Sequence, residues 1–251
     1  MTNVITTPKD FKVWRWGKHG SIGFVPTMGA LHEGHAALLK QAYEDNDFVV
    51  LSIFVNPTQF NDPNDLEKYP KTWEQDLAIA KANGVDAIFY PKYFDMYPDN
   101  YRFKVSENSF SNVLDGAHRP GHFDGVLSVV MKLFNIVAPT RAYFGEKDFQ
   151  QLTLIKDMAE SFFMNLEVIP VPTVREKDGL AMSSRNQRLT AEERALAPAI
   201  YKTITEAKSA DEAAAQLSAL GFKVDYVTDM GNRRFVAAKI GEVRLIDNVE
   251  I

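Results

Sequence analysis

The stretch that most constrains the fold covers residues 21–43 and predicts a strand, a glycine-bearing loop and a helix. Its first part, SIGFV, is apolar and β-prone, and its last part, AALLKQAY, favours a helix. The loop between them ends in His32-Glu33-Gly34-His35, which places two histidines about one helical turn apart. A strand that leads through such a loop into a helix start presents backbone N–H groups and a positive dipole end to an anion. The stretch therefore indicates a nucleotide-binding βα unit.

Other interpretations of this loop remain open at this level. Gly34 costs roughly 1 kcal/mol relative to alanine in the first turns of a helix, and a nucleotide that approaches the backbone closely would explain it. A helix cap with two solvated or structural histidines explains the same residues without a ligand. Zinc fits less well, because the histidines are at i and i+3 rather than at the i and i+4 of a metalloprotease helix. No metal-ligating residue is predicted.

Composition excludes several classes of function. The 251 residues, 45% hydrophobic and 24% charged, are enough for a sizeable core and are ordinary for a soluble globular protein. A net charge of −5 argues against nucleic acid as a main partner. No apolar run reaches the length of a membrane span, and the first residues lack a signal-peptide h-region. We therefore expect a cytoplasmic protein, with which the absence of cysteine is compatible.

Apolar strand-like segments alternate with helical ones through residue 174, a pattern typical of a doubly wound parallel sheet. Strands are predicted at 21–25, 48–55, 85–90, 141–145 and 167–174, with a short edge strand at 101–105. Capping boxes are predicted at Thr72, at Asp148 with Gln151, and at Thr190, from which a helix reaches about Ala207. A helix at 211–220 and strands at 222–228, 234–240 and 243–249 follow. We predict a Rossmann-like domain over residues 1–173 and a smaller α+β C-terminal domain over residues 174–251.

Polar residues follow the predicted strands at the edge where open parallel sheets bind ligands. Asn56 and Gln59 lie in the turn NPTQF after the second strand, although a plain proline turn would also explain them. Lys147 stands at the mouth of a helix N-terminus, where a cation is unfavourable with the dipole, so an anionic ligand explains it better.

Two polar loops allow more than one interpretation. In the loop 115–125, His118, Arg119 and His122 either reach a ligand or a partner subunit, or belong to a loop that seats the following helix. The segment 175–189, REKDGLAMSSRNQRL, either closes over a triphosphate or is an interdomain linker with a solvated basic face.

The motifs together resemble the pantothenate synthetase (pantoate–β-alanine ligase) family of the HxGH nucleotidyl transferase-like superfamily. They are VPTMGALHEGH, FVNPTQF, LDGAHRPGHFDGVLSVVMKLFNIV, AYFGEKDFQQ, DGLAMSSRN and the closing RLIDN. The resemblance implies that ATP activates (R)-pantoate as pantoyl adenylate, that β-alanine then displaces AMP, that the phosphates hold most of the Mg²⁺ coordination, and that the protein is a homodimer. The alternatives are another HxGH-type nucleotidyl transferase or carboxylate-adenylating enzyme, including an RNA aminoacylator, and a non-catalytic nucleotide-binding protein.

The resemblance also assigns residues. ATP would be bound by Met28, Gly29, Ala30, Leu31, His32, Glu33, Gly34, His35, Gly145, Glu146, Lys147, Asp148, Val174, Met182, Ser183, Ser184 and Arg185. The catalytic residues would be His35 (the proton donor), His32, Lys147, Ser184 and Arg185. Gln59, Gln151 and Asn56 would bind substrate, Gln59 contacting both pantoate and β-alanine. The chain between VDYVT and FVAAKIG is shorter than the family pattern, which predicts a trimmed C-terminal sheet.

Overall fold

A computed structural model describes residues 2–251 and contains two sheets. The larger has six parallel strands in the order β1-β4-β3-β2-β5-β6. They are β1 (Asn3–Ile5), β2 (Ile22–Thr27), β3 (Phe48–Ile53), β4 (Ala87–Phe89), β5 (Arg141–Gly145) and β6 (Glu167–Val171). The smaller sheet is antiparallel and consists of β7 (Lys223–Met230), β8 (Arg233–Ile240) and β9 (Val243–Glu250). The predicted fold class, a doubly wound parallel sheet followed by a small α+β unit, is confirmed.

Helices cover both faces of the six-stranded sheet. Those with residues in its two apolar cores are α1 (Pro8–Trp16), α7 (His122–Val137) and α8 (Phe149–Ser161) on one face, and α2 (Glu33–Asp45) and α4 (Trp73–Ala82) on the other. Shorter helices lie in the connections: α3 (Pro63–Glu67), α5 (Tyr93–Met96) and α6 (Asp115–His118). The chain winds from β2 to β3 to β4 and then returns to place β5 on the other side of β2. The strand order reverses between β2 and β5, where doubly wound sheets form a ligand-binding crevice.

The C-terminal unit packs α9 (Ala191–Leu196), α10 (Ala199–Glu206) and α11 (Ala210–Ala219) with the small sheet. The capping box at Thr190 is confirmed, since the Thr190 hydroxyl accepts the N–H of Glu193 at 3.2 Å and the Glu193 carboxylate accepts the N–H of Thr190 at 2.9 Å. The helix that follows is broken at Pro198 rather than continuous to Ala207. Two-residue turns, Gly231-Asn232 and Gly241-Glu242, join the three strands.

The predicted edge strand at 101–105 is wrong. Asn100 and Tyr101 have φ angles of 52° and 62°, and the N–H groups of Phe103 and Val105 are donated to the side chains of Asp99 and Ser128. These side chains replace the neighbouring strand that a β-ladder requires. The edge position of the sheet belongs instead to β1, which the sequence pattern did not indicate.

Two predicted capping boxes are also wrong. The Thr72 hydroxyl makes no cap hydrogen bond and instead donates to the Asp76 carboxylate at 3.0 Å. Asp148 makes no cap hydrogen bond either, because a 3₁₀ turn, Glu146–Asp148, runs directly into α8. Gln151 consequently remains available to the cleft described below.

Candidate active site

The side chain of Asp76, in α4, fixes the loop between β2 and α2 by hydrogen bonds to its backbone. This buried carboxylate accepts the N–H of Ala30 at 3.0 Å and the N–H of Leu31 at 2.7 Å. Ala30 has a φ of 52°, a left-handed conformation that alanine rarely adopts. Asp76 compensates this strain by satisfying the two N–H groups, which therefore do not point at a ligand. No motif pointed to Asp76, since only the folded chain brings it to the loop.

The two histidines cap the helix that they begin. The Nδ1 atom of His32 accepts the N–H of Gly34 at 3.1 Å, and the Nδ1 atom of His35 accepts the N–H of His32 at 3.3 Å. An imidazole nitrogen that accepts carries no proton, so the neutral rings hold their protons on Nε2. The capping interpretation is thus correct, and it leaves each ring with one N–H donor on its outer side.

Both histidines are neutral at physiological pH. Burial, followed by the Lys147 cation, lowers the pKa of His32 to about 4. Burial, followed by the His32 ring and Lys147, lowers the pKa of His35 to about 3. The rings therefore act as hydrogen-bond donors rather than as fixed positive charges.

The neighbour that excludes a side chain at Gly34 is the ring of His32. A Cβ atom on residue 34 would lie 2.9 Å from Cε1 and 3.0 Å from Nδ1 of that ring. The glycine is therefore explained by the cap itself, and a nucleotide over the turn is not required to explain it. The next atom met by such a Cβ, at 3.8 Å, belongs to Met182. The serine–arginine segment (residues 182–188) therefore lies beside the histidine turn (residues 32–35).

These two segments line one cleft of about 240 Å³ at the carboxyl ends of β2, β3, β5 and β6. The predicted site residues that line it are Met28, His32, Gly34, His35, Asn56, Gln59, Gly145, Lys147, Asp148, Gln151, Val174, Met182, Ser183, Ser184 and Arg185. Predicted ATP residues outside the lining are Gly29, Ala30, Leu31, Glu33 and Glu146. The cleft thus unites segments that are distant in the chain.

On the β3 side, Asn56 orients Gln59. The Asn56 amide donates to Gln59 Oε1 at 3.0 Å and to the carbonyl of Gly125 at 3.2 Å, and its oxygen accepts from Tyr97 and Thr58. This fixes the Gln59 amide with Nε2 toward the thioether of Met28 at 3.3 Å, a weak acceptor that a substrate oxygen can replace.

Arg119 and His122 contact the backbone carbonyl of Gln59 on the same side of the cleft. The Nη1 atom of Arg119 lies 3.0 Å from His122 Nε2, and Nη2 donates to the carbonyl of Gln59 at 3.2 Å. An arginine can only donate, so His122 accepts through Nε2 and donates through Nδ1 to the same carbonyl at 2.8 Å. His118 is exposed and lies beside Tyr226 outside this cleft.

The serine–arginine segment is held against α3 rather than solvated. Arg185 donates to the Asp65 carboxylate at 2.9 Å, and Arg188 contacts the other oxygen of the same carboxylate. Ser184 is buried 3.4 Å from the hydroxyl of Tyr69. These contacts exclude the interpretation of this segment as a linker with a solvated basic face. Asp65 and Tyr69 carried no recognisable signal in the sequence.

The last strand ties the C-terminal unit to the β5 loop. Asn248 donates to the carbonyls of Glu146 and Lys147 at 2.9 Å and 3.0 Å, and the neighbouring Asp247 binds Arg175 in a two-pronged ion pair. The Lys147 ammonium, with a side chain only 18% exposed, lies 3.6 Å from the Asp148 carboxylate and faces the cleft. Neutral N–H donors, a lysine and an arginine thus surround one space suited to an anion.

Rossmann-like enzymes that bind nucleotides typically carry hydrogen-bond donors and cations at the carboxyl ends of a doubly wound sheet. The cleft has this arrangement, which places the chain in that class of proteins. The model of one such family, described as pantoate–β-alanine ligase, matches residues 3–250. The pantothenate synthetase of Bdellovibrio bacteriovorus is 74% identical over 251 residues, 100% of both chains. That of Coxiella burnetii is 47% identical over 250 residues, 99% of this chain and 97% of the relative. The chain belongs to the pantoate–β-alanine ligase family.

Solved structures agree with this family membership. The pantoate–β-alanine ligase of Francisella tularensis, crystallised in complex with β-γ ATP and β-alanine, has a TM-score of 0.96 and 42% identity, covering 100% of this chain and 98% of that chain. The pantothenate synthetase of Thermus thermophilus has a TM-score of 0.92 and 39% identity, covering 99% of both chains.

Two further properties bear on the chemistry. Within residues 2–251, no group of three or more histidine, aspartate or glutamate side chains is arranged to hold a metal ion. Over the same residues, no helix is long and apolar enough to cross a membrane.

Proposed function

We propose that the enzyme activates (R)-pantoate with ATP as an enzyme-bound pantoyl adenylate and then transfers the pantoyl group to β-alanine. The observation that carries this proposal is the single cleft shared by the histidine turn, Lys147, Gln59 and the segment Met182–Arg185. The Francisella relative, whose crystals contained β-γ ATP and β-alanine, supports both substrates.

In the first step, a carboxylate oxygen of pantoate attacks the α-phosphorus of ATP. The new O–P bond forms as the bond to the β-phosphate oxygen breaks, and pyrophosphate leaves. Two anions must approach each other, so the site has to supply donors and positive charge. Lys147, Arg185 and the Nε2–H groups of His32 and His35 supply them, with Ser183 and Ser184 as further hydroxyl donors.

In the second step, the amine of β-alanine attacks the acyl carbon of the adenylate. A C–N bond forms, the bond to the AMP oxygen breaks, AMP leaves with the electron pair, and the amine loses one proton. The Nε2–H of His35 donates to the developing negative charge, which is the role the family pattern assigns to this position as proton donor. The resulting amide is pantothenate.

Gln59 and Gln151 bind pantoate, because an amide can both donate to a carboxylate and accept from a hydroxyl. Asn56 has both its donors and its oxygen engaged with the protein, so it supports Gln59 and does not bind substrate itself. Mg²⁺ neutralises phosphate charge when bound. The phosphates would provide most of its coordination, as is usual for Mg²⁺ at a nucleotide, and no group of three acidic or histidine ligands occurs in the described residues.

ATP–pyrophosphate exchange tests the proposal directly. We expect exchange that requires pantoate, proceeds without β-alanine, and is not supported by amino acids. Exchange with an amino acid or with no acid at all would favour another HxGH-type nucleotidyl transferase. ATP binding without any exchange would favour a non-catalytic nucleotide-binding protein.

We further propose a homodimer in the cytoplasm, with residues 174–251 as a small domain that covers the ATP cleft of residues 1–173. Sedimentation equilibrium tests the dimer, and fractionation of cells tests the compartment. Limited proteolysis tests the domain boundary, since cleavage near residue 173 that ATP suppresses is the expected result.

A further inference from the structure

Arg185 has two properties that conflict. It lines the active-site cleft, where the proposed reaction uses its positive charge, yet its guanidinium is paired with the carboxylate of Asp65 at 2.9 Å. A carboxylate in direct contact opposes the field of an arginine and competes with a phosphate for its N–H groups. The charge of Arg185 therefore acts fully on a triphosphate only if another cation neutralises Asp65.

Arg188 is that second cation. Its Nη1 atom contacts Oδ1 of Asp65, whereas Nη2 of Arg185 contacts Oδ2, so the carboxylate lies between two guanidinium groups. Burial opposes the ionisation of Asp65, but the charges and hydrogen bonds of the two arginines lower its pKa below the ordinary value, which keeps it ionised at neutral pH. Two cations and one anion leave this triad (Asp65, Arg185 and Arg188) with one net positive charge.

A neighbouring arginine of the C-terminal unit shows what full compensation looks like. Arg244 binds two carboxylates, those of Asp115 and Asp225, each at 2.8 Å. Within residues 2–251, by contrast, Arg185 and Arg188 share a single carboxylate and form no other ion pair. The triad therefore carries a positive charge that no carboxylate in direct contact balances.

The members of the triad line different spaces. Arg185 lines both the active-site cleft and a second cavity, of about 280 Å³, between the six-stranded unit and the C-terminal sheet. Asp65 and Arg188 line the second cavity only, so Arg185 is the member that faces a ligand in the cleft. Among residues 2–251, Asp65 is the only acceptor of the Arg185 side chain. A guanidinium has five N–H groups, so donors remain for a phosphate.

We propose that Arg188 is a positioning residue for nucleotide binding: it shares Asp65 with Arg185, so that Arg185 is oriented by the carboxylate but stays cationic toward the triphosphate of ATP. This inference rests on the proposed ligase function, in which Arg185 binds ATP. The net charge of the triad, rather than the shape of residue 188, then sets the affinity for the triphosphate. AMP carries fewer phosphate charges, so its binding depends much less on the triad.

The test varies the net charge of the triad. Arg188→Gln lowers it to zero but keeps N–H donors for Asp65, whereas Arg188→Lys leaves it unchanged. The double variant Asp65→Asn/Arg188→Gln restores one positive charge, and its new amide oxygen can still accept from Arg185. Arg102→Gln, at an exposed arginine outside both cavity linings, controls for the loss of a charge elsewhere.

Titration calorimetry measures Kd for ATP in the presence of Mg²⁺ and Kd for AMP, and pantoate-dependent ATP–pyrophosphate exchange measures KM for ATP. In Arg188→Gln, we expect Kd and KM for ATP to rise about tenfold, the effect of one charge roughly 10 Å from a ligand in a partly buried site, and Kd for AMP to change by less than about threefold. Arg188→Lys and the double variant should stay within about threefold of wild type for both nucleotides.

Three results would overturn the inference. An unchanged Kd for ATP in Arg188→Gln would show that Asp65 does not weaken the charge of Arg185. Equal losses for ATP and AMP would show that Arg188 only maintains the structure of its segment. Failure of the double variant to recover ATP affinity would show that net charge is not the property that matters.

If Arg188→Gln does not fold, Asp65→Asn alone decides. This variant has two net positive charges in the triad, so it should bind ATP at least as tightly as wild type, and weaker ATP binding contradicts the inference. Failure of wild-type exchange with pantoate contradicts the proposed function instead. The calorimetric comparison of ATP with AMP does not depend on exchange, so the two failures are distinguishable.

Discussion

The Oδ1 atom of Asp76 accepts the backbone N–H of Leu31 at 2.7 Å across 45 positions of the chain. Its other oxygen accepts the N–H of Ala30, so one buried carboxylate fixes the loop that leads into the histidine turn. The position of the His32 and His35 rings therefore depends on a residue in a different helix.

We expect Asp76→Asn to impair both stability and catalysis, although it nearly preserves the side chain's shape. An amide offers one acceptor where two N–H groups need one each, and an unsatisfied buried N–H costs about 1–3 kcal/mol. Urea unfolding should show a loss of that size, and pantoate-dependent exchange should fall with it. Asp211→Asn, at an exposed helical aspartate, is the control. Unchanged stability in Asp76→Asn would show that the loop between β2 and α2 keeps its conformation without the Asp76 hydrogen bonds.

His35→Ala and Lys147→Ala should each lower turnover by roughly a hundredfold or more, because the loss of one well-placed transition-state donor costs about 2.7–4 kcal/mol. Both side chains line the cleft, and no strand or apolar core depends on either of them. The urea midpoint should therefore change little in Lys147→Ala, whereas His35→Ala also loses the cap hydrogen bond to the His32 N–H and should lose about 0.5–2 kcal/mol of stability. Turnover close to that of wild type in either variant would show that the substituted residue does not stabilise the transition state.

The buried ring of His122 makes stability depend on pH in a defined direction. Burial, followed by the Arg119 cation, lowers its pKa from 6.5 to about 3, so the unfolded chain binds a proton that the folded protein excludes. Stability from this group is complete above about pH 6.5 and decreases as the pH falls below it, by up to about 1.4 kcal/mol per pH unit.

His122→Gln should remove that contribution, because glutamine does not titrate and can still donate to the Gln59 carbonyl. The free energy of unfolding, measured in urea at about pH 7 and about pH 5, should fall more for wild type than for the variant. Equal falls in both proteins would show that His122 is protonated in the folded state.

Asn248 links the last strand to the Lys147 loop, and two substitutions test this link. Asn248→Asp retains an acceptor for Arg233 but removes both N–H donors to the carbonyls of Glu146 and Lys147. We expect KM for ATP to rise about tenfold, the value of one to two lost hydrogen bonds, and stability to fall, because a carboxylate oxygen then faces two carbonyl oxygens at a buried position. Asn248→Ala should raise KM similarly, with a smaller loss of stability because it introduces no charge. Asn135→Asp, at an exposed asparagine, controls for the added charge.

The local chemistry of the chain predicts much of the fold. Continuous apolar runs such as FVVLSIFV require a strand covered on both faces, and the ends of those strands place Gln59 and Lys147 at one edge. The Thr190 capping box and the Gly241-Glu242 hairpin need only neighbouring residues, and both are present as predicted.

The local predictions that were wrong concern side chains with competing partners. Thr72 has a nearby carboxylate in Asp76, and the 3₁₀ turn before α8 satisfies the helix start without Asp148. At 101–105, side chains of Asp99 and Ser128 take the N–H groups that a strand would pair. Sequence patterns do not reveal which of two adequate partners a donor will choose.

Sequence patterns are enough to predict the alternation of strands and helices, the histidine turn and the family, because these follow from periodicity and from motifs whose residues are neighbours in the chain. The residues that support the site are visible only in the folded protein: Asp76 binds the loop before His32, Asp65 binds Arg185 and Arg188, and Arg119 donates to the Gln59 carbonyl. Electrostatic compensation depends on distances between segments that are far apart in the chain, and only the folded packing sets those distances.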